Sequence, residues 1–427
     1  MTVIGRGQPD GCLSDADITE IIDAAAGQIS PQGKRLLVII PDHTRTCPLP
    51  QIVRGLHAAM APKARKLDFL IALGTHPALG EGQIDALLGI EPGRRGEVLP
   101  GSEVFNHDWK SPEALEKIGT LSAEQIRRIT GGASAGFEKD IDITINRRIF
   151  DYDLVMVAGP VFPHEVVGFS GGAKYFFPGI CGEELLNFFH WIGALITIPK
   201  IIGCKDTPVR ALLNAAVEMI SVPTRLLTMV VKGRDLAGLY FGALREAWSS
   251  AADLSTKIHI TYVDKPFTSI LSRAPEMYDE LWTGGKCMYK MEPVVADGGE
   301  LIIFAPHIKE LAAAHGKVIR EVGYHTLEYF LKQWDKFKDY PWGVLAHSSH
   351  VRGIGTYQDG VEKPRIGVTL ATAIPRDVCR SINMGYRDPA EVDIGQWEGR
   401  ESEGRLYVPK AGEMLYRLKD APDWSRP

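Results

Sequence analysis

Apolar and polar positions along this chain follow two periods that take turns. Residues 18–29, ITEIIDAAAGQI, repeat apolar side chains every three to four positions, which predicts an amphipathic helix. RLLVIIPD at 35–42 is instead an unbroken apolar run bounded by charge, the pattern of a strand buried on both faces of a parallel sheet. The plan then repeats. A helix is predicted at 49–60 with Pro48 and Pro50 at its start, a strand at 67–74 and a helix at 80–89. VMVAG at 155–159 is a strand stopped by Pro160 and Pro163, and EELLNFFH at 183–190 is helical. A helix at 208–221, a strand at 226–231 and a helix near 240–252 follow. Residues 95–145 hold charged turns, a predicted helix near 112–118 and the alternating strand IDITI at 141–145.

A second series opens near 266 with FTSILS. It continues through a helix-like segment at 283–296, a strand at 300–306, a long helix near 317–333, and strands at 344–349 (VLAHSS) and 365–374. Strands alternating with helices predict an α/β fold of two domains, each a mainly parallel sheet flanked by helices, with an active site in the cleft between them. The expected division is a cofactor-binding and catalytic domain at 1–265 and a substrate-contacting domain at 266–404. A carboxyl-terminal segment at 405–427 follows, with its return to the first domain left open.

Composition narrows the class. A chain of 427 residues, 45% hydrophobic and 24% charged, matches a globular enzyme of two domains. With 48 basic against 53 acidic residues and no basic cluster, nucleic acid is not an expected partner. No run reaches membrane-spanning length and the amino terminus lacks an apolar leader, so the expected setting is the cytoplasm, away from membranes. The six cysteines are scattered without zinc or disulfide spacing, and Cys47 and Cys181 are expected as small buried hydrophobes.

The candidate chemistry gathers just past the ends of three predicted strands: Asp42-His43-Thr44-Arg45, Thr75-His76, and His164 with the glycine turn that follows it. If those strands are neighbours in a parallel sheet, the three ends open on one edge, where such sheets bind ligands. In HEVVGFSGGAKYFFPG, Ser170, Gly171 and Gly172 permit a sharp turn whose peptide N–H groups suit an anion, and Lys174 follows it. An ATP-type phosphate loop is excluded, because counting from Gly168 its second glycine falls on Ala173 and its hydroxyl residue on Tyr175. GRGQPDG at 5–11 lacks the spacing of a dinucleotide fingerprint and reads as a loop.

PDHTR at 41–45, GTHP at 74–77, HEVVGFSGGAKYFFPG at 164–179 and His190 resemble, in order and approximate spacing, the nickel-pincer lactate racemase family over nearly the whole chain. The resemblance implies an isomerase that inverts the Cα of a 2-hydroxyacid by reversible hydride transfer. It also implies a nickel-pincer nucleotide, a pyridinium mononucleotide holding Ni(II) through sulfur, carbon and sulfur, tethered to Lys174 through a thioamide and made by separate maturation enzymes. His190 then matches the remaining nickel ligand. Asp42, His43, Thr44, Arg45, Ser170, Gly171 and Gly172 line the cofactor. His76 and His164 match the catalytic acid–base pair. Arg45, Thr283 and Lys286 match the substrate contacts, with Lys290 one helical turn on as the competing lysine.

Two positions depart from the lactate pattern. Pro77 stands where the family has an arginine, and Trp282 where it has an aromatic hydroxyl. Polar groups in AHSSH (346–350) and GIGTYQDG (353–360) suit a larger, hydroxylated acid. The expected substrate is therefore an aldonic acid epimerised at C2, with lactate or another short 2-hydroxyacid as the alternative. Two other classes stay open: a hydrolase or lyase with His76, His164 and His190 around one ordinary metal, and a non-catalytic binder of an anionic metabolite.

Overall fold

The computed structural model describes residues 2–422. The chain divides into two compact units. The first takes residues up to Phe162, Phe169–Leu186 and Arg210–Ile258; the second takes Pro163–Gly168, Asn187–Val209 and the chain from His259 onward. The crossing near 259 lies close to the expected boundary at 265, but two inner segments leave the amino-terminal half for the second unit. His164 and His190 travel with them.

The first unit is built on β1 (Ile4–Gly7), β2 (Arg35–Pro41), β3 (Lys66–Ala72), β4 (Val104–Asn106), β5 (Leu115–Leu121), β6 (Ile141–Asn146), β7 (Leu154–Pro160), β8 (Thr224–Lys232) and β9 (Asp235–Gly242). Seven of these form one sheet in the order β1-β9-β8-β7-β2-β3-β4. From β8 to β4 the pairs are parallel, while β9 runs antiparallel to both β1 and β8. The apolar run of β2 is buried from Leu36 to Pro41, as a central parallel strand requires. Its flanking helix Asp15–Ile29 buries Ile18, Ile21, Ile22, Ala25 and Ile29 on one face and starts at a capping box between Ser14 and Asp17. Because β7, β2 and β3 are neighbours, the segments after Pro41 and Ala72 leave the same edge of the sheet as the chain leaving Pro160.

Of the helix expected near 112–118 only a single 3-10 turn, Pro112–Ala114, forms. Leu115–Leu121 is β5, which pairs antiparallel with β6 in a separate two-stranded ribbon, so a tertiary partner decides what a short mixed sequence leaves ambiguous. The helix expected near 240–252 begins at Leu244 and runs to His259, because Asp235–Gly242 is spent on β9.

The second unit holds a five-stranded, wholly parallel sheet. With β10 (Ile260–Val263), β11 (Phe267–Arg273), β12 (Val295–Ala305), β13 (Gly367–Thr372), β14 (Gly385–Tyr386), β15 (Arg405–Val408) and β16 (Leu415–Leu418), its order is β14-β13-β12-β11-β15. The segment from residue 405 stays in this unit: β15 adds an edge strand beside β11, and β16 pairs with β10. The helix-like stretch 283–296 resolves into Leu281–Gly284, Lys286–Tyr289 and a tight turn before β12. The long helix expected at 317–333 is broken at Gly323, whose φ of 70° ends Gly316–Val322 before Leu327–Leu331 begins.

VLAHSS is not a strand. It lies inside the helix Trp342–Arg352, which is buried from Gly343 to Val351, and a segment buried all round carries no polar–apolar period by which to tell helix from strand. GIGTYQDG turns instead into a hairpin of Gly355–Gln358 with Val361–Pro364. Among the described residues, no helix is long and apolar enough to cross a membrane.

Candidate functional site

In the first unit, the loops after β2 and β3 bring Asp42 against His76. Asp42 is 4% exposed. Its Oδ1 accepts from the Thr44 N–H at 3.1 Å and from Thr44 Oγ1 at 2.7 Å, and its Oδ2 pairs with Nδ1 of His76. Burial alone would raise the Asp42 carboxyl. The His76 charge and hydrogen bond, the Arg45 charge and the Thr44 hydroxyl together hold it well below the usual carboxylate range. An ionised carboxylate only accepts, so His76 carries its proton on Nδ1 and presents the Nε2 lone pair. Arg45 Nη1 donates to Thr44 O and Oγ1 at 3.2 and 3.1 Å, which ties the guanidinium to the same loop. His43, by contrast, is exposed.

Ser170, Gly171, Gly172 and Lys174 form the turn beside β7. Ser170 Oγ accepts from the Phe162 N–H at 2.9 Å and donates to Pro160 O at 3.4 Å, so this hydroxyl closes the loop on itself. Gly171 has a φ of 79°, which only glycine adopts without strain. Three successive carbonyls of the turn are held from one side: Phe169 O and Gly171 O by Arg210, and Ser170 O by Trp248 Nε1 at 2.8 Å. Arg210 itself lies over the Trp248 ring, 4.2 Å from its centroid. Since a trans peptide points N–H opposite to C=O, the amides of Gly171 and Gly172 face away from that clamp.

Lys174 is half-buried at the end of the turn, and its charge acts on the buried Cys181 thiol, which burial pushes up. His107 steadies the next loop. Its Nε2 donates to Cys181 O at 3.0 Å and its Nδ1 accepts from Asn146 Nδ2 at 3.1 Å, and burial lowers the ring to about 4.

In the second unit, His164 is 8% exposed. Its Nδ1 accepts the Val166 N–H at 3.1 Å and lies 3.3 Å from a Glu165 carboxylate oxygen. A donor and an acceptor at one nitrogen serve both the neutral and the protonated ring. His190 is half-buried on the helix Glu183–Ile196 and acts electrostatically on His350. Thr283 is buried and its hydroxyl donates to Glu280 O at 3.0 Å, so its oxygen is left to accept. Lys286 lies over the Tyr278 ring at 4.6 Å. The competing Lys290 is 4% exposed and donates to Glu413 O at 3.1 Å, a contact that ties down the carboxyl-terminal segment.

The carboxylate partner of His76 lies 34 positions away in sequence, a link that spacing does not reveal. Arg210 and Trp248 were not foreseen either. The available signal was an arginine set among apolar residues in VRALLNAAV. Among the described residues, no three His, Cys, Asp or Glu side chains gather as they do around a metal ion.

Residues 18–197 match the model of the lactate racemase N-terminal domain. Over 301 residues the chain is 24% identical to the lactate racemase of Thermoanaerobacterium thermosaccharolyticum, a match covering 67% of this chain and 62% of that protein. Over 176 residues it is 31% identical to the lactate racemase of Lactiplantibacillus plantarum, covering 40% of this chain and 35% of that protein. Both matches thus span less than two thirds of the relatives' own length. Among solved structures, a Thermotoga maritima protein superposes with a TM-score of 0.88 at 33% identity, covering 97% of this chain and 100% of that one. The lactate racemase apoprotein of T. thermosaccharolyticum superposes with a TM-score of 0.70 at 18% identity, covering 97% and 94%, which shows a shared fold.

Proposed function

We propose that the chain, whose residues 18–197 match the lactate racemase N-terminal domain, is a member of the lactate racemase family and a racemase or epimerase of 2-hydroxyacids, with a hydroxylated, aldonic-type acid as the favoured substrate. The observation that carries the reading is the His76–Asp42 pair. A histidine with Nδ1 fixed on an ionised carboxylate has Nε2 ready to accept the substrate's hydroxyl proton, and the carboxylate stabilises the imidazolium that results. His164 takes the matching acid–base role for the opposite enantiomer, supported by the Glu165 carboxylate 3.3 Å from its Nδ1, which holds a proton there and leaves Nε2 its lone pair. Arg45 and Lys286 hold the substrate carboxylate, and the Thr283 oxygen accepts from a substrate hydroxyl.

The residues present fit the nickel-pincer nucleotide that the family implies. Lys174 offers an amine at the end of a turn clamped on one side, the Gly171 and Gly172 amides suit an anionic phosphate on the other, and His190 offers an imidazole for nickel. When bound, that group supplies a reversible acceptor for the Cα hydrogen as hydride. Maturation enzymes are then its expected partners, and the chain's own residues orient the acid, move the hydroxyl proton and exclude water.

The test is inversion of single-enantiomer hydroxyacids by protein co-produced with the maturation enzymes, with intact mass measured alongside. His76→Ala and His164→Ala are expected to abolish inversion while leaving the adduct on Lys174. Undiminished turnover in either variant removes that residue from the pair, and an unshifted mass in active protein removes the tether.

A further inference from the structure

The helix Trp342–Arg352 carries four polar side chains in succession, His347 to His350, through a segment with no exposed position between Gly343 and Val351. The two serines are served by the protein itself. Ser348 Oγ donates to Gly323 O at 2.6 Å and accepts from the His325 N–H at 3.1 Å, and Ser349 Oγ donates to Ala346 O at 2.9 Å.

The histidines are different. His347 Nε2 lies 3.0 Å from Trp282 O, and a carbonyl only accepts, so Nε2 carries the proton and Nδ1 carries a lone pair. That Nδ1 is buried and meets no hydrogen-bond partner; the same holds for Nε2 of His350 and for the hydroxyl of Tyr324. The three side chains are 8%, 5% and 0% exposed. Tyr324 and His347 have ring centroids 5.8 Å apart. Native proteins rarely bury unmatched polar atoms, and three in one neighbourhood point to a ligand that completes them.

We propose that His347, Tyr324 and His350 form a recognition site for hydroxyl groups on the tail of the substrate; this rests on the hydroxyacid reading above and names which acids the site favours. A lone pair at Nδ1, a phenol that both donates and accepts, and a further imidazole nitrogen are matched by alcohols, each of which donates and accepts in turn. A second carboxylate would set an acceptor against the Nδ1 lone pair, and an alkyl tail would leave all three atoms unmatched. Aromatic rings pack against His347. Trp282 stacks on His347 with centroids 3.9 Å apart and planes 12° from parallel, and His315 lies 4.6 Å from Trp282 on centroids.

The site also adjoins the residues assigned to the substrate's acid end. Trp282 immediately precedes Thr283, and His347 Nε2 is 3.3 Å from the position a Cβ would take on Gly285, the residue before Lys286. Recognition of a substrate hydroxyl by a buried polar group penalises the analogue that lacks it, since the protein group then stays unpaired.

Tyr324→Phe is the clean variant, because the hydroxyl it removes holds nothing in the protein. His347→Phe keeps a ring on Trp282 and removes both nitrogens. Calorimetric titration, on unmodified and matured protein, compares gluconate with 2-hydroxyhexanoate, which has the same carbon chain without the tail hydroxyls. Wild type is expected to prefer gluconate, and Tyr324→Phe and His347→Phe to lose gluconate affinity by roughly three- to tenfold with 2-hydroxyhexanoate unchanged or tighter. Unchanged gluconate binding in both variants, equal loss for both acids, or no gluconate binding by wild type overturns the site. Its failure is separable from that of the racemase reading. Protein that binds gluconate through these residues but inverts no hydroxyacid keeps the site and loses the reading; protein that inverts short hydroxyacids and ignores tail hydroxyls does the reverse.

Discussion

His76 is held by Asp42 through Nδ1, and this one bond fixes which ring nitrogen keeps its lone pair. Asp42→Asn keeps the side chain's shape and the Thr44 contacts but can present an N–H to Nδ1. The proton then moves to Nε2 and the base is lost. The expected outcome is a fall in turnover of roughly 10³- to 10⁴-fold, as tautomer reversal produces in other Asp-His pairs, with melting temperature little changed. Steady-state kinetics beside a thermal melt checks it, and turnover near wild type would show that His76 does not depend on its tautomer.

The buried ionisable groups set how the fold responds to acid. Burial lowers His107 to about 4 and His347 to about 3, whereas an unfolded histidine titrates near ~6.5. Below that pH the unfolded chain binds protons that the folded chain refuses, so stability is complete above ~6.5 and falls on acidification by up to about 1.4 kcal/mol per pH unit for each group. Asp42 adds a second step of the same sign. Its folded carboxyl is depressed, so its contribution is present above ~3.9 and declines as pH falls further toward the folded value. Melting temperature against pH should drop in these two stages, and His107→Gln should flatten the first.

Arg210 is predicted to hold the Lys174 turn in place. Arg210→Met leaves the Phe169 and Gly171 carbonyls without their donor, at a cost of about 1–3 kcal/mol per unmatched group, and lets the turn relax. Reduced melting temperature together with a reduced fraction of Lys174 adduct by intact mass is expected. Arg210→Lys should recover only part of both, because an ammonium lacks the fork that spans two carbonyls. A full adduct fraction in Arg210→Met would mean the turn forms without the clamp.

The two lysines considered for the substrate carboxylate should separate cleanly. Lys290→Met removes a buried contact to Glu413 O and is expected to lower stability with KM nearly unchanged. Lys286→Met is expected to raise KM at least roughly tenfold with little effect on melting, as loss of a charged hydrogen bond to substrate would. The opposite pattern would exchange their roles.

Much of the first unit was legible because its strands are long, wholly apolar and punctuated by proline or charge, and because Asp42 and His76 directly follow the ends of β2 and β3. What was hidden had physical causes. β5 takes its form from pairing with β6, and Trp342–Arg352 is buried all round and so shows no helical period. The Asp42–His76 pair and the Arg210–Trp248 clamp join residues distant in sequence, which periodicity does not report. Polar residues at 346–350 were visible, but only their hydrogen bonds distinguish the satisfied serines from the unmatched histidines.

The most direct measurement is inversion of a single-enantiomer 2-hydroxyacid in heavy water by protein matured on Lys174, followed by mass spectrometry of the product. Inversion with the Cα hydrogen largely retained, abolished in Lys174→Ala and in His76→Ala, is the predicted result. Complete exchange of the Cα hydrogen with solvent, or inversion that persists in Lys174→Ala, would contradict it.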